Sequence, residues 1–241
     1  MNIVKARTIF SSALVSIAFL VLLSACASPP RSAESDKGIK KVAVVSMLEE
    51  QTPVVHVGLT VFNNDLATVN QDGQLNRLAT SIIEQRLRAA RPEWNVVPVP
   101  PDAALSKKIA SGVSWSSFTG KVKEDLQRIA QETGADFVFA VIDTTWENSP
   151  GRGVGIRMRA LSKDSSGSAL VHAHVLLVLL DKNGTEITAR GGTEMTMPAS
   201  ELGLNYDLSS LHDPQVQQRV GAAMRKQLED ALTQAAAGMG Y

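Results

Sequence analysis

Two histidines one residue apart carry the chemistry that is easiest to recognise in this chain. His172 and His174 lie in the apolar stretch LVHAHV, and residues two apart on a β-strand point to the same face. Paired imidazoles are common zinc or copper ligands, but such a site needs a third or fourth donor. No HxxE motif or cysteine lies nearby, although Asp143 or His56 could approach from another strand. We favour two histidines on a polar or amphipathic sheet face, and we expect no metal.

Two arginines have the same spacing. Arg157 and Arg159 alternate with apolar residues over 154–161, which predicts a strand with both guanidinium groups on one face. If this strand pairs with the histidine strand, the arginines form a cationic stripe that can bind a carboxylate or a phosphate. A solvated sheet face is the alternative.

Trp146 lies beside a predicted loop that precedes the arginine strand. It offers an aromatic anchor for a partner if it is exposed, or it packs into the core or the loop.

Other catalytic motifs fail on their context. The glycine-rich segment 151–155, GRGVG, resembles a phosphate-binding loop, but that loop opens a helix and this segment leads into a strand. A flexible hairpin is the better interpretation. The serines lack a G-x-S-x-G setting and the carboxylates are scattered along the chain. We therefore expect no catalytic residue and no cofactor.

The single cysteine, Cys26, ends an N-terminal stretch with the parts of a secretory signal. Two basic residues precede an apolar run over 9–23, and the small residues Ser24 and Ala25 follow it. This run is shorter than the roughly 20 residues that a membrane-spanning helix needs. An ordinary signal with a chance cysteine remains one interpretation.

Leu23-Ser24-Ala25-Cys26 also resembles a bacterial lipobox. The resemblance implies that 1–25 is a lipoprotein signal peptide and that the Cys26 sulfur receives a diacylglyceryl group. Acyl chains then anchor the protein in a lipid bilayer. Inner-membrane lipoproteins of this kind carry Asp at the next position, so Ala27 implies the periplasmic face of the outer membrane. Residues 26–39, rich in Ser, Pro, Ala and charge, predict a flexible tether behind the lipidated cysteine.

Composition excludes one broad class of partner. The chain has 24 basic and 24 acidic residues, so it lacks the positive excess that binding to the phosphate backbone of a nucleic acid requires. We expect no nucleic-acid partner. A hydrophobic content of 44% is ordinary for a globular domain, and residues 40–241 are enough for one core.

The elements that must position these side chains follow from hydrophobic periodicity. Helical spacing predicts a helix from Leu75 to Leu87 capped by Asp72, one from Phe118 that ends at Gly134, and a last one that begins at Asp213-Pro214. Strands are predicted at 41–48, 54–62, 94–99, 136–146, 154–161, 169–180 and 185–190, whereas 191–206 has no clear pattern. This order predicts an α/β fold over 40–241: a single sandwich domain with a mixed β-sheet and packed helices.

Five segments carry a resemblance to known folds: KKVAVVSML, SIIEQRLRAA, WNVVPVP, IAQETGADFVFAV and LVLLDKNGTEI. Together with the element order they resemble the N-terminal domain of TolB and the lipoproteins that activate penicillin-binding proteins. The resemblance implies a non-enzymatic adapter or regulator that docks on a protein of the cell envelope. The alternatives are a subunit of a curli-type secretion or outer-membrane assembly complex and a metal-dependent envelope enzyme.

Overall fold

A computed structural model describes residues 38–58, 64–102, 104–107, 118–145, 151–159, 167–181 and 185–241, with backbone alone at 118–121. The predictions for Cys26, most of the tether and Trp146 lie outside these residues. No described helix is long and apolar enough to cross a membrane.

The described residues form one mixed eight-stranded sheet with helices packed on it, which confirms the predicted fold class. The strands are β1 Lys41–Met47, β2 Gln51–Val57, β3 Asp65–Asn70, β4 Asn95–Val99, β5 Phe137–Asp143, β6 Val154–Arg159, β7 Ser168–Asp181 and β8 Glu186–Pro198. The helices are α1 Gln74–Ala90, α2 Phe118–Thr133, α3 Ala199–Leu202 and α4 Pro214–Gly238, with further helical residues at 104–107 and a 3-10 turn at Ser209–His212.

Strand β7 is the axis of the sheet. One of its edges pairs antiparallel with β8 from Ser168 to Leu180. Its other edge is shared by two strands placed end to end, β6 along 168–173 and β5 along 175–181. The change of partner falls at His174, whose N–H donates to the Gly153 carbonyl and whose own carbonyl accepts from the Thr144 N–H.

The sheet therefore forks at His174 into two halves. The proximal half, where the described chain begins, continues from β5 to β1 and then β4, all parallel. The distal half continues from β6 to the parallel strand β2 and then to the antiparallel strand β3. The segment 154–161, which carries the two arginines, thus pairs with the histidine strand, so the condition for a cationic stripe beside the histidines is met.

The two faces of the sheet are covered to different extents. Helices α1 and α4 pack on one face across both halves, with Ile83 and Met224 among the fully buried side chains there. Helix α2 packs on the opposite face against β1, β5 and the end of β7, and this second core contains no described residue of β2 or β6. Burial follows from this arrangement: β5 is buried on both faces, whereas β2 alternates between buried and partly buried residues.

Some local predictions need correction. Asp72 does not cap α1: it has φ +50°, and Gly73 occupies the cap position without a side-chain hydrogen bond. Strand β3 begins at Asp65 in a segment for which no strand is predicted, and β8 extends to Pro198 rather than ending at 190. Asp213, by contrast, caps α4 as predicted, since its carboxylate accepts the Gln215 N–H at 2.8 Å.

Candidate functional site

The two histidines of β7 lie on one face of the sheet, as the spacing predicts. Their rings stack with centroids 5.1 Å apart, and both side chains are buried, with 2% and 1% of their surface exposed. The Nε2 atom of His174 lies 3.3 Å from an Oε1 of Glu194, the residue opposite His172 on β8. Neither ring nitrogen of His172 has a described partner in hydrogen-bonding geometry. Burial, with a smaller contribution from His174, lowers the pKa of His172 to about 4.

The glycines of the GRGVG segment make room for this ring. A Cβ on Gly151 would collide with the His172 imidazole, and a Cβ on Gly155 would lie 3.1 Å from it and 3.0 Å from the Pro53 carbonyl. Gly155 is directly opposite His172 in the β6–β7 pairing. The glycines therefore serve close packing, and the prediction of a merely flexible hairpin misses their role.

Neither residue named as a further metal donor approaches the histidine pair. Asp143 is opposite Val175 and His56 is opposite Met158, and both pairs face the α4 side of the sheet. His56 instead contacts Tyr206, with ring centroids 4.5 Å apart. Among the described residues, no three His, Cys, Asp or Glu side chains are grouped so as to hold a metal ion.

Asp143, named above only as a possible metal donor, is a buried titratable group. Its carboxylate accepts the Glu49 N–H at 2.7 Å and is packed against Gly153. Burial raises its pKa to about 7, although the hydrogen bond from Glu49 and the charge of Arg152 oppose this rise. Only 6% of the residue is exposed, so it is poorly placed to meet a substrate. The sequence signal is a carboxylate that closes an apolar strand, FVFAVID.

A cleft of about 350 Å³ lies beyond the end of β1, lined by Glu49, Glu50, Asn76 and Lys107 among others. Ligands of open α/β sheets often bind at the carboxyl ends of the strands. Here the Glu50 carboxylate already accepts two hydrogen bonds from Asn76, at 2.9 Å from its N–H and 2.6 Å from its side-chain amide. This carboxylate therefore helps to fix the start of α1.

The arginine pair lies on the part of the sheet that α2 leaves uncovered. Five neighbouring strands place one residue each in a row across this face of the distal half: Leu66, Val55, Arg157, Leu170 and Thr196. We call this row, with Arg159 in the next one, the distal platform. No described helix packs on it. Leu66 is 70% exposed.

A recess of about 340 Å³ opens in the distal platform around the two arginines, with Ser168, Leu170 and Thr196 completing its lining. The predicted alternation of β6 is confirmed, since Val154, Ile156 and Met158 are buried in the core below. The structure thus places Arg157 and Arg159 in one recess, with the histidines in the adjoining buried part of the same face. Trp146 lies outside the described residues.

Comparison with known proteins gives structural likenesses alone. No protein-family model matches the chain, and no curated protein is significantly similar to it. Among solved structures, it is similar to the PelC dodecamer from Paraburkholderia phytofirmans, with 15% identity over 80% of this chain and 87% of that chain and a TM-score of 0.28.

Two further solved structures are similar at comparable levels. Lipoprotein GNA1162 from Neisseria meningitidis is 14% identical over 66% of this chain and 82% of its own, with a TM-score of 0.26. The LpoB C-terminal domain from Salmonella enterica is 12% identical over 66% and 87%, with a TM-score of 0.27. At these values the likenesses transfer no residue role to this chain.

Proposed function

We propose that this protein is a lipid-anchored, non-enzymatic adapter of the bacterial cell envelope. Acylated Cys26 holds it at the periplasmic face of the outer membrane, and the distal platform docks an envelope protein. The lipobox supports the anchor. The platform supports the docking role, because a sheet face with an exposed leucine and two arginines offers both apolar area and charge to a partner.

The position of the platform favours a protein over the anchoring membrane as its occupant. Strand β7 contains 14 residues, which span roughly 45 Å at about 3.3 Å a residue. The first strand of the fold aligns with the Asp181 end of β7, through β5. The arginines align with the Ser168 end. The tether therefore joins the domain at the end opposite the platform.

Site-specific photo-crosslinking in intact cells tests the docking role. A photoreactive residue at Leu66 lies on the platform, and one at the exposed Gln85 of α1 is the matched control on the other side of the sheet. We expect a discrete adduct with one envelope protein from position 66 and none from position 85. Equal adducts from both positions, or no adduct from position 66, would overturn the docking role.

Cell fractionation tests the anchor separately. We expect labelled fatty acid on the wild-type chain and on an Ala27→Ser control. The Cys26→Ser variant is expected to lose the label and to leave the outer-membrane fraction. A Cys26→Ser variant that stays in that fraction would contradict lipid anchoring through Cys26, whatever the result of the crosslinking.

A further inference from the structure

The two arginines of the recess have no counter-charge among the described residues. Neither Arg157 nor Arg159 makes an ion pair or a side-chain hydrogen bond with another described residue, and none of the described residues that line the recess is acidic. The Nε of Arg157 is buried and has no acceptor among them. A buried donor of a charged group that lacks a partner is costly. The two guanidinium groups, two residues apart on β6 and without a described counter-charge, also repel each other. A bound anion removes both penalties.

The spacing of the arginines selects the geometry of that anion. Residues two apart on a strand are separated by about 7 Å along the strand axis. An extended peptide repeats its side chains on one face with the same period. Two carboxylates at alternate positions of an extended segment therefore match the two guanidinium groups, each of which can bind a carboxylate bidentately.

The surroundings of the arginines suit a peptide better than a free ion. Val55 and Val57 are their neighbours on β2, Leu170 is the neighbour of Arg157 on β7, and all three are partly exposed. The hydroxyls of Ser168 and Thr196 border the recess on the other side. Apolar neighbours cover the aliphatic part of an acidic side chain, and hydroxyls can bond to its backbone.

We propose that this recess binds an extended acidic segment of the partner protein, with two carboxylates at alternate positions held by Arg157 and Arg159. This inference rests on the proposed docking role and names the chemistry of the partner. The same recess would accept a phosphate group, but it lies at the end of β7 opposite the chain entry at Lys41, away from the headgroups of the anchoring membrane.

Binding of synthetic peptides to the full-length protein in neutral detergent tests the inference. The probe is a fluorescent, end-capped peptide, Thr-Glu-Val-Glu-Thr. One control replaces both glutamates by glutamine, and another inserts a second valine between them. We expect binding of the first peptide that weakens with salt. We expect a loss of about tenfold or more for either control and for Arg157→Gln or Arg159→Gln.

A matched charge control and two alternative ligands complete the experiment. Arg128→Gln removes one positive charge from α2, where Arg128 pairs with Asp125 and Glu132, and should leave peptide binding within about twofold of wild type. Inorganic phosphate and phosphatidylglycerol vesicles are tested in parallel. Binding of either that requires both arginines, without peptide binding, would overturn the acidic-segment inference in favour of a phosphate ligand.

The two proposals fail in different ways. If Leu66 crosslinks to a partner but no acidic peptide binds, or if the partner adduct survives Arg157→Gln and Arg159→Gln together, the recess is not the acidic-segment site although docking stands. If peptide binding is lost in the arginine variants and the circular dichroism spectrum is unchanged, the inference is supported independently of the crosslink.

Discussion

Gly153 lies directly against the carboxylate of Asp143, which occupies the space that the Cβ of any other residue at position 153 would need. Gly153 also has φ +61°, a backbone conformation that L-residues adopt at a cost. The contact joins the end of β5 to the start of β6 at the fork of the sheet. It therefore links the proximal half of the domain to the half that carries the distal platform.

Replacing Gly153 by alanine is expected to destabilise the protein by more than its backbone conformation alone explains. The matched control is Gly134→Ala, because Gly134 has φ +62° and no described atom lies within 4 Å of the position that a Cβ would take. We expect Gly134→Ala to lower the free energy of unfolding by about 1–2 kcal/mol. Gly153→Ala should lower it by about 1–3 kcal/mol more, because the new methyl group displaces the carboxylate. Urea denaturation measures both.

A double variant separates the collision from the backbone effect. In Asp143→Ala the obstructing carboxylate is gone and only the Cβ of residue 143 stays close, 3.1 Å from the new methyl group. Adding Gly153→Ala to this variant should therefore cost clearly less than it costs in the wild type. The difference between the costs of Gly153→Ala in the wild-type and Asp143→Ala backgrounds is the coupling free energy between positions 143 and 153. Equal costs of Gly153→Ala in the wild-type and Asp143→Ala backgrounds would show that the close contact is not what requires glycine.

The Asp143 carboxyl is expected to make the protein less stable as the pH rises. Its pKa is raised from 3.8 to about 7 by burial, so between these values the folded state binds more protons at this site than the unfolded state. The contribution of Asp143 to stability is fully present below pH 4 and is lost as the pH rises through 7. The free energy of unfolding falls by about 4 kcal/mol in total through this group. Asp143→Asn keeps an acceptor for the Glu49 N–H and removes the titration. Its unfolding free energy relative to wild type should therefore increase from pH 4 to pH 8.

His172 is expected to act in the opposite direction. Its pKa is lowered from 6.5 to about 4, so the unfolded state binds more protons between these values. The contribution of His172 to stability is fully present above pH 6.5. It decreases by about 3 kcal/mol as the pH falls towards 4. His172→Gln should remove this contribution and leave only the opposite one of Asp143, whereas the exposed His212, replaced in the same way, should not change the wild-type profile. We expect the free energy of unfolding to be independent of pH from 4 to 6.5 in the wild type. In Asp143→Asn and in His172→Gln it should depend steeply on pH, with opposite slopes.

The profile of the double variant decides whether the two groups act independently. Asp143 and His172 face opposite sides of the sheet, so Asp143→Asn with His172→Gln should restore a flat profile. A steep profile in the double variant would mean that another group dominates the titration in this range.

The face of the sheet on which each side chain of β6 and β7 lies follows from local sequence. The faces of the arginines and histidines are therefore predictable. Alternation with period two places Arg157 and Arg159 on one face whatever their neighbours are. The burial of His172 is not predictable in this way. It depends on Gly151 and Gly155, whose packing against the ring is set by the pairing of β6 with β7.

Strands β3 and β8 differ from the sequence-based expectations for different physical reasons. Strand β3 has a single buried residue, Val69, so its sequence lacks a hydrophobic pattern. Strand β8 contains the pair Gly191-Gly192, which weakens strand propensity, and its pairing with β7 over the full length compensates for this. The fork itself depends on contacts between distant residues, and hydrophobic periodicity carries no information about them.

Gly191 provides the last test, because its obstructing neighbour is backbone rather than side chain. A Cβ at this position would collide with the Ala231 carbonyl in α4, so Gly191→Ala must move the helix away from β8. We expect a loss of about 3 kcal/mol or more in the free energy of unfolding. Gly238→Ala, near the end of the same helix, places its methyl 3.9 Å from Ala189 and should be neutral or slightly stabilising. Ala231→Gly should not rescue Gly191→Ala, since the carbonyl remains; a rescue would place the obstruction in the Ala231 side chain instead.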